Sequence, residues 1–237
     1  MFRKGIGIRM KKIAIITARG GSKRIPGKNI KEFCGKPILA YSIEAALQSE
    51  IFDTVMVSTD DAQIAEIAQK YGAEIPFYRS RETSGDFATT NDVLLEVLSE
   101  YEKRGERFEL GCCIYPTAPF VTAEKLKSAV NKLAESDADT LIPVTAFSYP
   151  PQRAMIVKEG KLVFKHPEYL DSRSQDLEPH YHDVGQFYVF RTEAFQRNRK
   201  LMVGNILPLV ISEMEVQDID NQTDWEIAEM KYRIMKS

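Results

Sequence analysis

The sequence predicts an α/β fold: a mostly parallel sheet covered by helices on both faces. Three observations predict it. Short, nearly continuous apolar runs recur along the chain, amphipathic helical patterns separate them, and a glycine-rich loop follows the first run. In chain order, Ile13 to Thr17 reads as a buried strand. After the loop, Pro37 opens a helix with Leu39, Ile43, Ala46 and Leu47 on one face. "TVMVS" (54–58) is the next strand, and "AQIAEIAQKYG" is a helix stopped by Gly72. Val93, Leu94, Val97, Leu98 and Tyr101 mark a helix, "LGCCIY" a strand, "TAEKLKSAVNKLAES" a helix capped by Thr122, and "DTLIPVT" a further strand. Ligands of such sheets sit at the carboxyl ends of the strands.

From 146 to 180 the rhythm breaks. This stretch holds four prolines and a hairpin signal at Glu159-Gly160, so it reads as an excursion from a single domain spanning 10–237. "GQFYVF" then returns as a strand, "ILPLVI" is a short apolar segment, and "TDWE" predicts a Thr223 to Glu226 capping box for the last helix. Residues 1–9, ahead of Met10, read as an extension of little structural weight.

Composition excludes several classes. The 237 residues carry 32 basic and 34 acidic side chains, a net charge of -2, so no global field favours nucleic acid or an anionic membrane. No stretch reaches the ~20 apolar residues of a membrane-crossing helix, and the basic start lacks a signal-peptide core. Cys34 and the adjacent Cys112 and Cys113 form neither a zinc spacing nor a disulfide framework, which fits a reducing, cytoplasmic setting. Cys112 and Cys113 read as inert packing inside a strand, and Phe187, Tyr188 and Phe190 as core.

The loop "ARGGSKRIPGKN" (18–29) carries the chemistry. Gly20 and Gly21 let backbone N–H groups approach a phosphate, and Arg19, Lys23, Arg24 and Lys28 surround it with cations. In a nearly neutral chain this concentration suits a triphosphate. Neither the Walker nor the dinucleotide glycine spacing is present, and a solvated basic turn accounts for the composition equally well. Near the other end, Asp218 and Asp220 flank Ile219. In an extended segment both carboxylates face one side, a spacing that suits Mg²⁺ retaining waters and substrate phosphates. Taken alone, the pair fits a cap or turn as well. Asp224 and Glu226 suit the following helix N-terminus.

Together the two ends carry a resemblance. "IAIITARGGSKRIPGKNI" resembles the first signature of the acylneuraminate cytidylyltransferases, the CMP-sialic acid synthetase family, and "DID" resembles their metal-binding segment. "STDD", "YRSRETSGDFATTNDV" and "YPTAPF" follow in the family's order, so the resemblance spans Ile13 to Tyr232. It implies a Rossmann-like three-layer α/β/α nucleotidyltransferase fold with a small dimerisation excursion. By position, Arg19, Gly20, Gly21, Ser22 and Asn29 would hold the CTP phosphates and nucleoside, Lys23 and Lys28 would add charge, and Arg79 and Thr90 would contact the nucleotide. Arg19 and Lys28 with Asp218 and Asp220 form the implied catalytic set, the aspartates holding Mg²⁺.

Departures from the sialate pattern point to a different acceptor. Tyr115 stands where those enzymes have glutamine, Ser174 replaces an arginine, Val184 an asparagine and Gln186 an alanine. "YHDVGQFY" and "CCIYPTAPF" resemble the pseudaminic acid branch. The resemblance therefore implies CMP activation of that nine-carbon acidic sugar, with bacterial flagellin or capsule glycosylation downstream. Arg173 suits the sugar carboxylate, and Tyr115, Gln175, His182, Asp183 and Gln186 its polar substituents. A rim ion pair for Arg173 and a surface histidine for His182 are the plainer alternatives. A homodimer through the excursion is implied as well. N-acetylneuraminic, legionaminic or 3-deoxy-manno-octulosonic acid as acceptor, a non-catalytic nucleotide-binding module, and a glycosyltransferase with a DxD pair are the competing readings.

Overall fold

The computed structural model describes residues 10–236, and the extension expected at 1–9 lies outside them. β1 (Lys12–Thr17) leads through the cationic loop and one 3-10 turn to a small hairpin, β2 (Glu32–Phe33) and β3 (Lys36–Pro37), and then to α1 (Ile38–Gln48). Next come β4 (Thr54–Ser58), α2 (Ala62–Lys70), the single turn α3 (Arg81–Ser84), α4 (Thr90–Lys103), β5 (Leu110–Ile114), α5 (Ala123–Ala134) and β6 (Thr140–Ala146). The excursion contains the hairpin β7 (Met155–Lys158) and β8 (Lys161–Phe164). The chain closes with β9 (Tyr181–Asp183), β10 (Phe187–Arg191), α6 (Thr192–Asn198), β11 (Ile206–Val210) and α7 (Gln222–Lys236).

The seven-stranded sheet runs β11-β6-β10-β5-β1-β4, with β9 beside β6. β1 is parallel to β4 and β5, and β11 to β6, whereas β10 is antiparallel to both β5 and β6 and β9 is antiparallel to β6. Five strands therefore share one direction and two oppose it. The sheet is mostly parallel, as expected, but the returning strand is reversed. An apolar run buried on both faces carries no mark of its direction, so the sequence could not disclose this.

Strand alternation divides β1 between two cores. Ala14 and Ile16 pack with Leu39 and Ile43 of α1, Ile64 of α2 and Leu126 and Val130 of α5. Ile13 and Ile15 face the other way, toward Leu94, Val97 and Tyr101 of α4 and Phe195 of α6. This is the three-layer α/β/α arrangement. Side-chain caps set the helix starts. The Asp61 carboxylate accepts from the N–H groups of Gln63 and Ile64, the Thr122 hydroxyl accepts from Lys125, and Thr89 and Asp92 cap each other's backbones. Gly72, at φ 93°, closes α2 in the left-handed region.

Three local expectations are corrected. The last helix starts at Gln222, not after a Thr223–Glu226 box. The Asn221 side chain accepts from Asp224 N–H, while the Asp224 carboxylate accepts from the N–H groups of Asp220 and Asn221, each at 3.0 Å. That box satisfies three donors, which favours the earlier start. Pro37 lies one residue before the first helical turn of α1, and Leu47 in the last turn is exposed. The Glu159-Gly160 hairpin is as expected, with both residues at positive φ, as a two-residue primed turn requires.

A third, smaller core positions the site. Ile25 from the cationic loop and Ile219 from between the two aspartates pack with Phe33, Phe120 and Trp225. Burying an isoleucine is worth about 1.5–3 kcal/mol, so these two contacts fasten the loop and the acidic segment to one base.

Candidate active site

The strand order reverses around β1: the chain passes to β4 on one side and then crosses back to β5 on the other. The loops leaving β1 and β5 diverge there and open a crevice at the carboxyl ends of the strands. A cavity of about 530 Å³ occupies it, with the cationic loop on one wall and Tyr115, Pro116 and Thr117 on another.

The loop is built to a specific shape. The N–H of Gly20 donates to Asp60 Oδ1 at 2.9 Å, and a Cβ at this position would lie 2.7 Å from Asp61 Oδ2, so the close approach requires glycine. Asn29, buried, donates its amide to the Arg19 carbonyl at 2.9 Å and so ties the end of the loop to its beginning. Gly27 turns the chain at φ 61° into Lys28, whose Nζ donates to the Ile219 carbonyl at 2.7 Å. Burial lowers the Lys28 pKa; Asp220 and Asp218 oppose that shift, while Arg24 and Arg19 add to it. The basic loop and the acidic segment are thus adjacent.

Of the expected nucleotide residues, Arg19, Ser22, Lys23, Lys28, Asn29 and Arg79 line this cavity, as does Thr90. Gly20 and Gly21 shape the loop without lining the cavity, and Gly21 faces open space. Arg79 is only 9% exposed and donates to the Ser58 hydroxyl and carbonyl at 3.1 and 2.8 Å. Desolvation by burial lowers its pKa, partly offset by Asp60 and Glu96. Thr90, on the first turn of α4, shares a 3.3 Å hydrogen bond with the Tyr115 hydroxyl.

A second cavity of about 440 Å³ lies beside Asp218 and brings together His182, Asp183, Gly185 and Lys231. The Tyr188 hydroxyl donates to Asp183 Oδ2 at 2.6 Å, and its ring meets that of Tyr115 edge-on at 5.6 Å. Burial raises both phenols above the ordinary tyrosine range. Asp220 forms an ion pair at 2.7 Å with Arg24, which lines the first cavity. Asp218 lines the second cavity and Asp220 reaches the first through Arg24, which places the pair between the two.

The remaining expected sugar residues are not gathered here. Arg173 pairs with Asp176 at 2.7 Å on the exposed excursion, where Gln175 is exposed too. Gln186 is buried and lines neither cavity.

The acidic pair fits Mg²⁺ by its donor chemistry. Two hard carboxylates flank buried Ile219 on one short segment, and among the described residues no cluster of three or more His, Cys, Asp or Glu exists to form an all-protein cage. A cation with few protein ligands, completed by water and phosphate oxygens, matches such a set.

Sequence reasoning missed Asp86. This residue lines the first cavity and pairs with Arg19 at 3.2 Å and Lys23 at 2.5 Å. A lone aspartate in a Gly/Ser/Thr loop has no periodicity to flag it, and its partners lie more than sixty residues away. Tyr188, expected only as core, also carries a hydroxyl that holds Asp183.

A family profile described as "Cytidylyltransferase" matches residues 13–234. The chain is 40% identical over 226 residues to pseudaminic acid cytidylyltransferase of Campylobacter jejuni, covering 95% of this chain and 97% of that protein. It is 32% identical to CMP-N,N'-diacetyllegionaminic acid synthase of Legionella pneumophila, covering 93% and 95% respectively. A solved structure of CMP:2-keto-3-deoxy-manno-octonic acid synthetase complexed with CTP superposes with a TM-score of 0.72 at 18% identity over 95% of this chain and 99% of that one, a likeness of fold. The match over nearly the whole chain, on a crevice of this shape and charge, makes the protein a member of the cytidylyltransferase family.

Proposed function

We propose that the protein transfers the cytidylyl group of CTP to pseudaminic acid, giving CMP-pseudaminic acid and pyrophosphate. One observation carries the reading: a cationic loop and a two-carboxylate segment meet where β1 and β5 diverge, joined by the Lys28 Nζ to Ile219 carbonyl hydrogen bond. The choice of acceptor is supported by the Campylobacter relative's name and near-complete coverage.

In this reading CTP lies in the first cavity. Arg19, Lys23 and Lys28 meet the phosphates, with Gly20, Gly21 and Ser22 lending backbone room, and Arg79, Thr90 and Asn29 form the nucleoside wall. The sugar acid enters the second cavity, against His182 and Asp183 and toward Tyr115. Its anomeric oxygen attacks the α-phosphorus, the bond to the β-phosphate oxygen breaks, and pyrophosphate leaves against the cationic loop. The hydroxyl proton passes to solvent at the exposed side of Asp218. Asp218 and Asp220 would hold Mg²⁺, which supplies Lewis-acid charge at phosphate oxygens and lowers the pKa of the attacking hydroxyl. Lys28 spends one of its three donors on Ile219 and keeps two for phosphate.

The excursion supports a homodimer. Tyr149, Met155, Ile156, Val157 and Leu162 are all exposed along it, a run of apolar surface uncommon on a monomer. Arg173 and Gln175 lie on the same arm and would serve a sugar site shared with the second copy. A monomer at micromolar concentration in light scattering would remove this part of the reading. A cytoplasmic setting fits the unpaired Cys34, Cys112 and Cys113, and among the described residues no helix is long and apolar enough to cross a membrane.

The test is pyrophosphate release from CTP and Mg²⁺ with pseudaminic, legionaminic, N-acetylneuraminic and 3-deoxy-manno-octulosonic acids supplied separately. Release with pseudaminic acid alone is expected. Release with another acid would keep the chemistry and replace the acceptor, and none with any would favour a nucleotide-binding module.

A further inference from the structure

The acidic segment has no sheet ladder to hold it. Between Glu213 and Asp220 the backbone is irregular apart from one 3-10 turn at Glu213–Glu215. Its carbonyls are taken instead by side chains from three directions. Lys231 of α7 donates to Val216 at 2.7 Å and Glu213 at 3.3 Å, Lys28 donates to Ile219 at 2.7 Å, and Gln186 Nε2 donates to Glu215 at 2.6 Å.

Gln186 differs from the two lysines. It is uncharged, 2% exposed, and its own carbonyl accepts the N–H of Tyr115 at 2.8 Å. One residue therefore ties the wall of the first cavity, through its backbone, to the carboxylate segment, through its side chain. Glu215 is held from a second side by Lys125, at 2.6 Å, which also donates to the carbonyl of Phe120 in the loop after β5. The Gln186 Oε1 atom is buried and accepts no hydrogen bond from the described residues. A methionine would fill the same volume without that buried acceptor, so the retained amide is explained by what its N–H groups do.

We propose that Gln186 is a positioning residue for the Asp218–Asp220 pair. It fixes the carboxylates relative to the nucleotide cavity and thereby sets divalent-cation affinity, and it does not contact the sugar. The proposal rests on the metal-binding reading of the pair. Groups that orient metal ligands typically change metal affinity by about 10–100-fold when removed.

The test compares wild type with Gln186→Met, using Mn²⁺ as the probe. Mn²⁺ binding in the presence of CTP is followed by electron paramagnetic resonance, and amide hydrogen exchange of residues 213–220 is followed without metal. About a tenfold weaker Mn²⁺ dissociation constant and faster exchange in this segment are expected, with metal-free CTP binding unchanged. Gln186→Asn, one methylene too short to reach Glu215, gives the same shifts and serves if the methionine variant does not fold. Unchanged Mn²⁺ affinity with a raised KM for the sugar acid would overturn the proposal and make Gln186 a sugar contact; unchanged exchange at 213–220 would overturn it equally. A wild-type protein that binds no Mn²⁺ beside CTP removes the metal-binding reading instead, and the exchange comparison still decides whether Gln186 anchors the segment.

Discussion

Lys28 Nζ donates to the main-chain carbonyl of Ile219 at 2.7 Å, across 191 residues of sequence. This bond latches the loop after the first strand to the segment that carries both carboxylates. Lys28→Met removes the latch together with a charge that lines the first cavity and that the proposed function sets against phosphate. We expect kcat/KM to fall by about 10²–10³, the loss typical of deleting one preorganised donor at developing charge. Lys28→Arg keeps the charge but replaces a point donor by a planar fork, and should recover only part of the rate.

Burial lowers the Lys28 pKa from its ordinary 10.5, with Asp220 and Asp218 limiting the shift. Below the folded-state value the ammonium is charged, and if it meets phosphate as proposed, CTP affinity should fall as pH rises through a point under 10.5. The stability contribution has the opposite sign. Between the folded value and 10.5 the unfolded chain binds more protons, so the penalty of burying this charge is relieved as pH rises across that window. Calorimetric titration of CTP binding against pH checks the first statement. Lys28→Arg should flatten that alkaline limb.

Asp86 pairs with Arg19 and Lys23, the cations proposed to meet the triphosphate. An incoming triphosphate competes with its carboxylate for both cations. Asp86→Asn should therefore tighten CTP binding about twofold to fivefold at low salt, the scale of exposed ion pairs, with the gain shrinking as ionic strength rises. Weaker binding in that variant would instead make Asp86 part of the binding surface.

How much of this was legible in the sequence depended on periodicity and spacing. "TVMVS" is β4 at the stated bounds, and Thr122 caps α5 as expected, because apolar runs and caps are local signals. The β2–β3 hairpin was not legible, since two-residue strands have no period. At the site, the cations of the β1 loop and the Asp-Ile-Asp alternation could be read directly, and Ile219 points into a core as the alternation requires. The pairing of Arg24 with Asp220 and of Lys23 with Asp86 could not, because each joins segments far apart in the chain, Asp86 lying on the crossover from β4 to β5 and Asp220 after β11.

Gly111, in the middle of β5, lies opposite Phe190 of β10 in the antiparallel register, and a Cβ there would overlap the Phe190 ring. Both positions are enclosed by neighbouring strands and α4, so the ring has little room to give. Gly111→Ala should destabilise the fold by about 1–3 kcal/mol, the usual cost of overpacking a core, as read from urea denaturation. Gly21→Ala, which meets open space, serves as the matched control for stability.

Asp220 separates binding from chemistry. Its carboxylate pairs with Arg24 at 2.7 Å, and both side chains are substantially exposed, 41% and 67% respectively. An exposed pair contributes about 0–1 kcal/mol, so Asp220→Ala should leave thermal stability nearly unchanged. The substitution also frees Arg24, which lines the first cavity, where CTP is proposed to lie, so CTP binding should survive or strengthen slightly. Turnover should nonetheless be almost abolished, because one of the two hard oxygen donors proposed to hold the divalent cation is gone. Calorimetry with CTP beside a pyrophosphate-release assay reads the two effects separately. Retained turnover would remove the metal role from Asp220, whereas loss of CTP binding in parallel would place Asp220 in the nucleotide site.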